Sequence, residues 1–232
     1  MMLEIIATSV ADAIAAERSG ADRLELCAAL SEGGLTPSLG LVEAVVEAVS
    51  IPVHVIVRPH SRTFQYDESD LTVMLADIRY IKQAGAAGIV IGVLNEDNEV
   101  NTRALSRLLT EAGGMKVTFH RAFDDIANQL EALEVIASFP QIQRILTSGG
   151  QAPAPEAAEQ LKKLVDKSRN TSVRILAGNG MSPETLSTLV RVTGLEEVHF
   201  GSAVRVNRSF MYPIDEAVIA GVKSELMQLG ES

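Results

Sequence analysis

Only one of the 232 residues, Cys27, is a cysteine, which excludes an internal disulfide and any CxxC zinc or thioredoxin motif. Cations are scarce as well: 20 Lys and Arg stand against 30 Asp and Glu, for a formal net charge of −10. Such a surface repels nucleic-acid phosphates and anionic lipid, because counterion release needs clustered cations. Neither a nucleic-acid nor a membrane partner is expected. No apolar run approaches the roughly 18 residues that cross a bilayer. The chain opens Met1-Met2-Leu3-Glu4, acidic where a secretory signal needs a basic start. The expected address is therefore the cytoplasm, where a lone thiol stays reduced. Linkers, low-complexity stretches and charge blocks are missing too, so one domain over residues 1–232 is expected.

What is present is an alternation. Short β-branched or apolar runs, read as strands, fall at 3–7, 22–27, 52–57, 88–92, 115–119, 143–147, 172–177 and 197–200. Each precedes an amphipathic stretch rich in Ala, Glu and Leu. These read as helices near 9–19, 67–84, 102–112, 127–138, 155–167, 183–192 and 215–229. One more opens at Thr36-Pro37-Ser38, where a hydroxyl cap precedes a first-position proline. The Ala/Pro run at 151–155 is too short for a linker and reads as a strand-to-helix loop. Strict alternation argues a parallel sheet, and eight units of about 29 residues are the number that closes on itself. The expected fold is α/β, a (β/α)8 TIM barrel, with an open doubly wound sheet as the alternative.

Side chains of such strands alternate between barrel interior and helix layer. Counting by two from the apolar partners turns Glu4, Glu25, Cys27, His54, Arg58, His120 and His199 inward. Three of the chain's four histidines fall in this set, and the fourth, His60, lies two residues beyond Arg58. A buried unpaired charge costs several kcal/mol, so these groups must neutralise one another or meet water and a ligand. Two readings follow: a structural ion-pair layer, or an active site at the carboxyl ends of the strands. Arg58, His120 and His199 stand at those ends, while Glu4 lies deeper and is expected to be structural.

The loops add polar groups. His120-Arg121-Ala122-Phe123-Asp124 follows the fifth strand and Thr147-Ser148-Gly149-Gly150 the sixth. Gly178, Asn179 and Gly180 lead to a helix start at Ser182-Pro183, and Gly201-Ser202 closes the eighth strand. Ser148, Gly149, Gly178, Asn179, Gly180, Gly201 and Ser202 form a candidate anion or phosphate site, since backbone N–H groups there can face a ligand. Glu25, His120 and His199 are ligand types suited to zinc, without an HxH or HExxH spacing behind them.

At this point the residues match a known pattern. Leu24-Glu25-Leu26-Cys27, Gly33-Gly34-Leu35-Thr36-Pro37-Ser38, Arg58-Pro59 with Phe64 and Tyr66, the run from Thr118 to Asp124, and Leu146-Thr147-Ser148-Gly149 resemble the CutC copper homeostasis family. The resemblance runs from Glu4 to about Met211. It implies a (β/α)8 barrel, a cytoplasmic homodimer or higher homo-oligomer, and a role in copper tolerance or trafficking, with Cys27 and His120 as the candidate metal ligands. Two positions depart from the pattern: Ile6, where members often carry cysteine, and Arg58-Pro59-His60-Ser61, where they usually read Arg-Pro-Arg before glycines. Copper(I) prefers thiolate and thioether donors, and the seven methionines form no MxxM cluster beside the one cysteine. The residues also support a second hypothesis, a metabolic barrel enzyme for a small anionic or phosphorylated substrate. There His120 is the acid/base, Glu25 its partner or second base, and Arg58 the anion clamp, beside His199. A purely structural or interaction protein is the third reading.

Overall fold

The computed structural model describes residues 1–150 and 152–230; Gln151, in the expected 151–155 loop, lies outside them. Eight parallel strands close into a barrel in sequence order: β1 (Met2–Ala7), β2 (Arg23–Leu26), β3 (Val53–Ile56), β4 (Gly88–Ile91), β5 (Lys116–Phe119), β6 (Ile142–Thr147), β7 (Arg174–Ala177) and β8 (Glu197–Phe200). β8 returns to β1 with Glu4 opposite His199, and β2 meets β1 with Glu4 opposite Arg23. The open doubly wound alternative is thereby excluded.

Each strand feeds one helix: α1 (Val10–Arg18), α2 (Leu39–Ala48), α3 (Glu68–Gln83), α4 (Thr102–Ala112), α5 (Gln129–Ala137), α6 (Ala158–Ser168), α7 (Pro183–Thr193) and α8 (Glu216–Gly230). Capping side chains set the starts of several. Ser9 accepts from the Asp12 N–H, and Asp67 and Asp70 form a capping box at α3. The second helix differs from expectation. Ser38, not Thr36, is its cap, because the Thr36 hydroxyl bonds the backbone of Arg58 at the end of β3. A 3-10 turn, Ala154–Ala157, precedes α6, so that helix starts later than its prolines suggested.

The two faces of the strands bury different chemistry. Leu3, Ile5, Leu24, Leu26, Val55, Ile89, Phe119, Val198 and Phe200 turn toward the helices and are fully buried. Each such side chain contributes about 1.5–3 kcal/mol of transfer free energy. The interior carries a small apolar cluster of Cys27, Ile56 and Val90, flanked by Ile6 and Leu30. Below it lies an ion layer. Arg23 bonds Glu4 and, at 2.8 Å, Glu197; Arg144 reaches the same Glu197 oxygen at 2.9 Å. No helix among the described residues is long and apolar enough to cross a membrane.

Candidate active site

A cavity of about 610 Å³ opens at the carboxyl ends of the strands. Glu25, Cys27, Arg58, His120 and His199 all line it, as do Asn179, Gly180, Gly201 and Ser202. The structure thus brings together residues as far apart in sequence as Glu25 and Ser202.

The inner wall is a line of titratable groups. Glu4 Oε1 sits 2.7 Å from His199 Nδ1, and His199 Nε2 lies 3.6 Å from Glu25 Oε2. Glu25 in turn accepts from the Cys27 thiol. Burial alone raises the Glu4 carboxyl, but Arg23 and His199 outweigh it and hold Glu4 well below the usual carboxylate range. An ionised Glu4 fixes the proton of His199 on Nδ1 and turns Nε2 toward Glu25. Burial disfavours the imidazolium, yet the Glu4 bond and the Glu25 charge raise His199 above its ordinary value. Glu25 is raised by burial and by the charge of Glu4, against the pull of His199. Glu25 and His199 are thus two neighbouring groups, 3.6 Å apart, whose affinity for a proton is raised at the edge of the cavity.

The outer wall differs. The Arg58 guanidinium donates to the carbonyls of Glu32 (3.1 Å), Gly34 (3.2 Å) and Ser61 (3.3 Å) and lies 4.7 Å from the Phe64 ring. Among the described residues no carboxylate pairs with it, so a fixed cation stands at the mouth with only dipoles and a π face around it. His120 packs against the same ring in a tilted arrangement, 5.0 Å between centroids. Its Nδ1 accepts from the Ala122 N–H at 3.1 Å, which leaves the proton on Nε2, a buried donor without a partner among the described residues. Burial, then the Arg58 charge, pushes His120 down to about 3, so the ring is neutral. Glycines make room for both imidazoles. A Cβ on Gly92 would lie 2.4 Å from His120 Nδ1, and one on Gly178 would lie 3.1 Å from His199 Cδ2.

Several expectations change in detail. Glu25 is partnered by His199 and Cys27 rather than by His120. Glu4, expected to be structural, is the group that orients His199. Ser148, Gly149 and Gly178 do not reach the cavity lining. The Ser148 N–H and hydroxyl are taken by the buried Asp124 carboxylate, the Gly149 N–H by Thr147 Oγ1, and the Gly178 N–H by the Thr147 carbonyl. Asp124 is a built-in anion at the position where a phosphate was expected. The start of α7 is likewise self-satisfied, by the Ser182–Thr185 capping box and the Glu184–Arg208 pair. His54 turns inward as counted, but it is neutral, lowered to about 3 by burial, and its ring nitrogens find no partner among the described residues. Arg144 and Glu197 were missed, although both sit at inward positions of their strands, where a charged residue between apolar ones was the available signal. Phe64 and Met181, a second soft donor in the lining, come from loops, where alternation gives no information.

The soft donors that line the cavity are Cys27 and Met181, beside the imidazoles of His120 and His199. Burial and the neighbouring Glu25 carboxyl hold the Cys27 thiol protonated, well above its ordinary value. No group of three or more His, Cys, Asp or Glu side chains able to hold a metal exists among the described residues.

Comparison with known proteins agrees with the sequence motifs. The CutC family model matches residues 1–204. A CutC family protein from Salmonella paratyphi B is 40% identical over 211 residues, covering 91% of this chain and 84% of that one. A counterpart from Salmonella enteritidis is 39% identical over the same shares. The crystal structure of a putative copper homeostasis protein CutC from Streptococcus agalactiae superposes with a TM-score of 0.82 at 28% identity, covering 87% of this chain and 98% of that one. A phosphoribosylanthranilate isomerase from Pyrococcus furiosus, 13% identical with a TM-score of 0.63 over 98% of this chain and 99% of that one, shares the barrel fold. With the barrel, the motif residues and the family model in agreement over most of its length, this chain belongs to the CutC family.

Proposed function

We propose that this protein is an enzyme that acts on a small anionic molecule in the barrel mouth, with acid–base chemistry at Glu25 and His199. One observation carries the reading: a cavity of about 610 Å³ holds both Arg58, a cation without a carboxylate partner among the described residues, and a Glu25–His199 pair 3.6 Å apart backed by Glu4. A structural ion layer needs neither feature. In the layer beneath, Arg23, Glu4, Glu197 and Arg144 each have a partner of opposite charge, whereas the mouth keeps a cation bonded only to neutral groups and a raised carboxyl. Guanidinium is suited to carboxylate or phosphate recognition, and a carboxyl raised above its ordinary value is better able to take and return a proton. A cytoplasmic setting suits the single reduced thiol.

Thermal melting with inorganic phosphate, citrate or sulfate tests the anion site. A ligand at a hundredfold excess over Kd stabilises by about 2.7 kcal/mol, which for a domain of this size raises Tm by roughly 5–11 °C. The shift should vanish in Arg58→Gln and persist in Arg58→Lys. Unchanged melting with every anion sinks the proposal. The family's copper association is tested separately, by competition with a Cu(I) chelator. Tight binding that is lost in Cys27→Ser would favour a copper carrier over an enzyme.

A further inference from the structure

The proposed function leaves the reaction open, but three features of the cavity narrow it. Glu25 is a carboxyl flanked by His199 at 3.6 Å and by the Cys27 thiol, a site that accepts one proton and keeps it close. His120 is fixed in one tautomer by the Ala122 N–H, so it offers a neutral Nε2–H and cannot take a proton there. Arg58 and His120 are held by the same Phe64 ring, at 4.7 and 5.0 Å, which places the anion clamp and the neutral donor side by side. A neutral imidazole donor polarises a carbonyl oxygen without surrendering its proton, a device known from enolising barrel enzymes.

Resting on the proposed function, we infer that the substrate class is an anionic carbonyl compound bearing a hydrogen on the carbon next to the carbonyl, and that the protein transfers that proton. The C–H bond breaks and its proton passes to a Glu25 oxygen. The electron pair forms the carbon–carbon double bond of an enediolate or enolate. The developing charge on oxygen is met by the His120 Nε2–H, with Arg58 on the anionic group. Return of a proton to the same carbon restores the substrate or, from the opposite face, gives its epimer; return to the neighbouring carbon gives the isomer once the hydroxyl proton has passed from one oxygen of the intermediate to the other. The step neither consumes nor produces an electron, and it requires no co-reactant. Glu4 is a positioning residue: through Nδ1 it keeps His199 turned toward Glu25.

The test is proton exchange in deuterium oxide, followed by NMR, with glycolaldehyde phosphate, glyceraldehyde 3-phosphate, ribose 5-phosphate and hydroxypyruvate as probes. At least one probe should gain deuterium at the carbon next to its carbonyl more than tenfold faster than in buffer. Glu25→Gln should lower that rate at least a hundredfold, and His120→Phe at least tenfold. Both variants should retain the melting shift given by inorganic phosphate, which reports folding and the Arg58 site. If phosphate still stabilises the wild type but no probe exchanges, the reaction class is wrong and the anion site stands. If phosphate gives no shift either, the proposed function falls with it. Exchange that survives in Glu25→Gln also overturns the inference.

Discussion

Replacing Arg23 by Met tests the ion layer on which the site rests. Arg23 is 2% exposed and holds two buried carboxylates, Glu4 and Glu197. Removing one partner of a buried pair costs about 3–5 kcal/mol, because the remaining charge is left desolvated. Glu197 would keep Arg144 at 2.9 Å, and Glu4 would keep only His199 at 2.7 Å. One carboxylate rather than two is thus stripped of its guanidinium, which places the expected loss near the lower end, about 3 kcal/mol. For a chain of this length that is a fall in Tm of roughly 6–12 °C. The pH dependence adds a second signature. The folded-state pKa of Glu4 is depressed, so its contribution is present above the unfolded carboxylate value of about 4.3 and is lost as pH falls through the folded value. Arg23→Met should flatten this acid limb. Urea midpoints of wild type, Arg23→Met and Arg23→Met/Glu4→Leu, measured from pH 7 to pH 3, provide the assay. A loss below about 1 kcal/mol in the single variant, or an unchanged acid limb, would refute the claim that Arg23 sets the charge of Glu4.

Three further outcomes are expected. In nitrogen-detected NMR titrations, His199 should titrate above the ordinary imidazole value of about 6.5, while His54 and His120 stay neutral until about pH 3. His199 then stabilises the fold below pH 6.5 and ceases to as pH rises through its own value. The two neutral histidines act oppositely, withdrawing stability as pH falls from 6.5 toward 3, because the unfolded chain takes up the protons; three coincident titrations near 6.5 would contradict this. Gly92→Ala should cost about 1–3 kcal/mol by overpacking and move the His120 ring signals, since the added methyl meets Nδ1 at 2.4 Å; unchanged melting and unchanged His120 shifts would count against the tight fit. Cys27 should react with an aromatic disulfide reagent at pH 8 on the order of tenfold more slowly than a free thiol, and unfolding in urea should abolish the difference.

Much of the architecture was legible because periodicity reports burial. Runs such as 88–91, flanked by glycines, can only be strands buried on the helix side, and eight repeats of strand and helix leave a closed barrel as the natural packing. Alternation also turned Glu4, Glu25, His54, Arg58, His120 and His199 inward, because a two-residue period fixes the face once the apolar partners are known. Helix starts were less secure: Thr36 has the chemistry of a cap, but its hydroxyl is spent on Arg58, a contact 22 residues away.

By itself the sequence determined the barrel, its inward polar set and its family, since these depend on spacing and residue type along the chain. Tertiary structure alone decided which of those groups pair. Closure of β8 onto β1 put Glu4 beside His199 and separated the ionised carboxylate from the raised one, Glu25. The same folding filled the expected phosphate loop with the Asp124 carboxylate and left Arg58 without a counter-charge. Charge state in a low-dielectric interior is set by neighbours a few ångströms away, and that proximity is a property of the closed barrel, not of the order of residues.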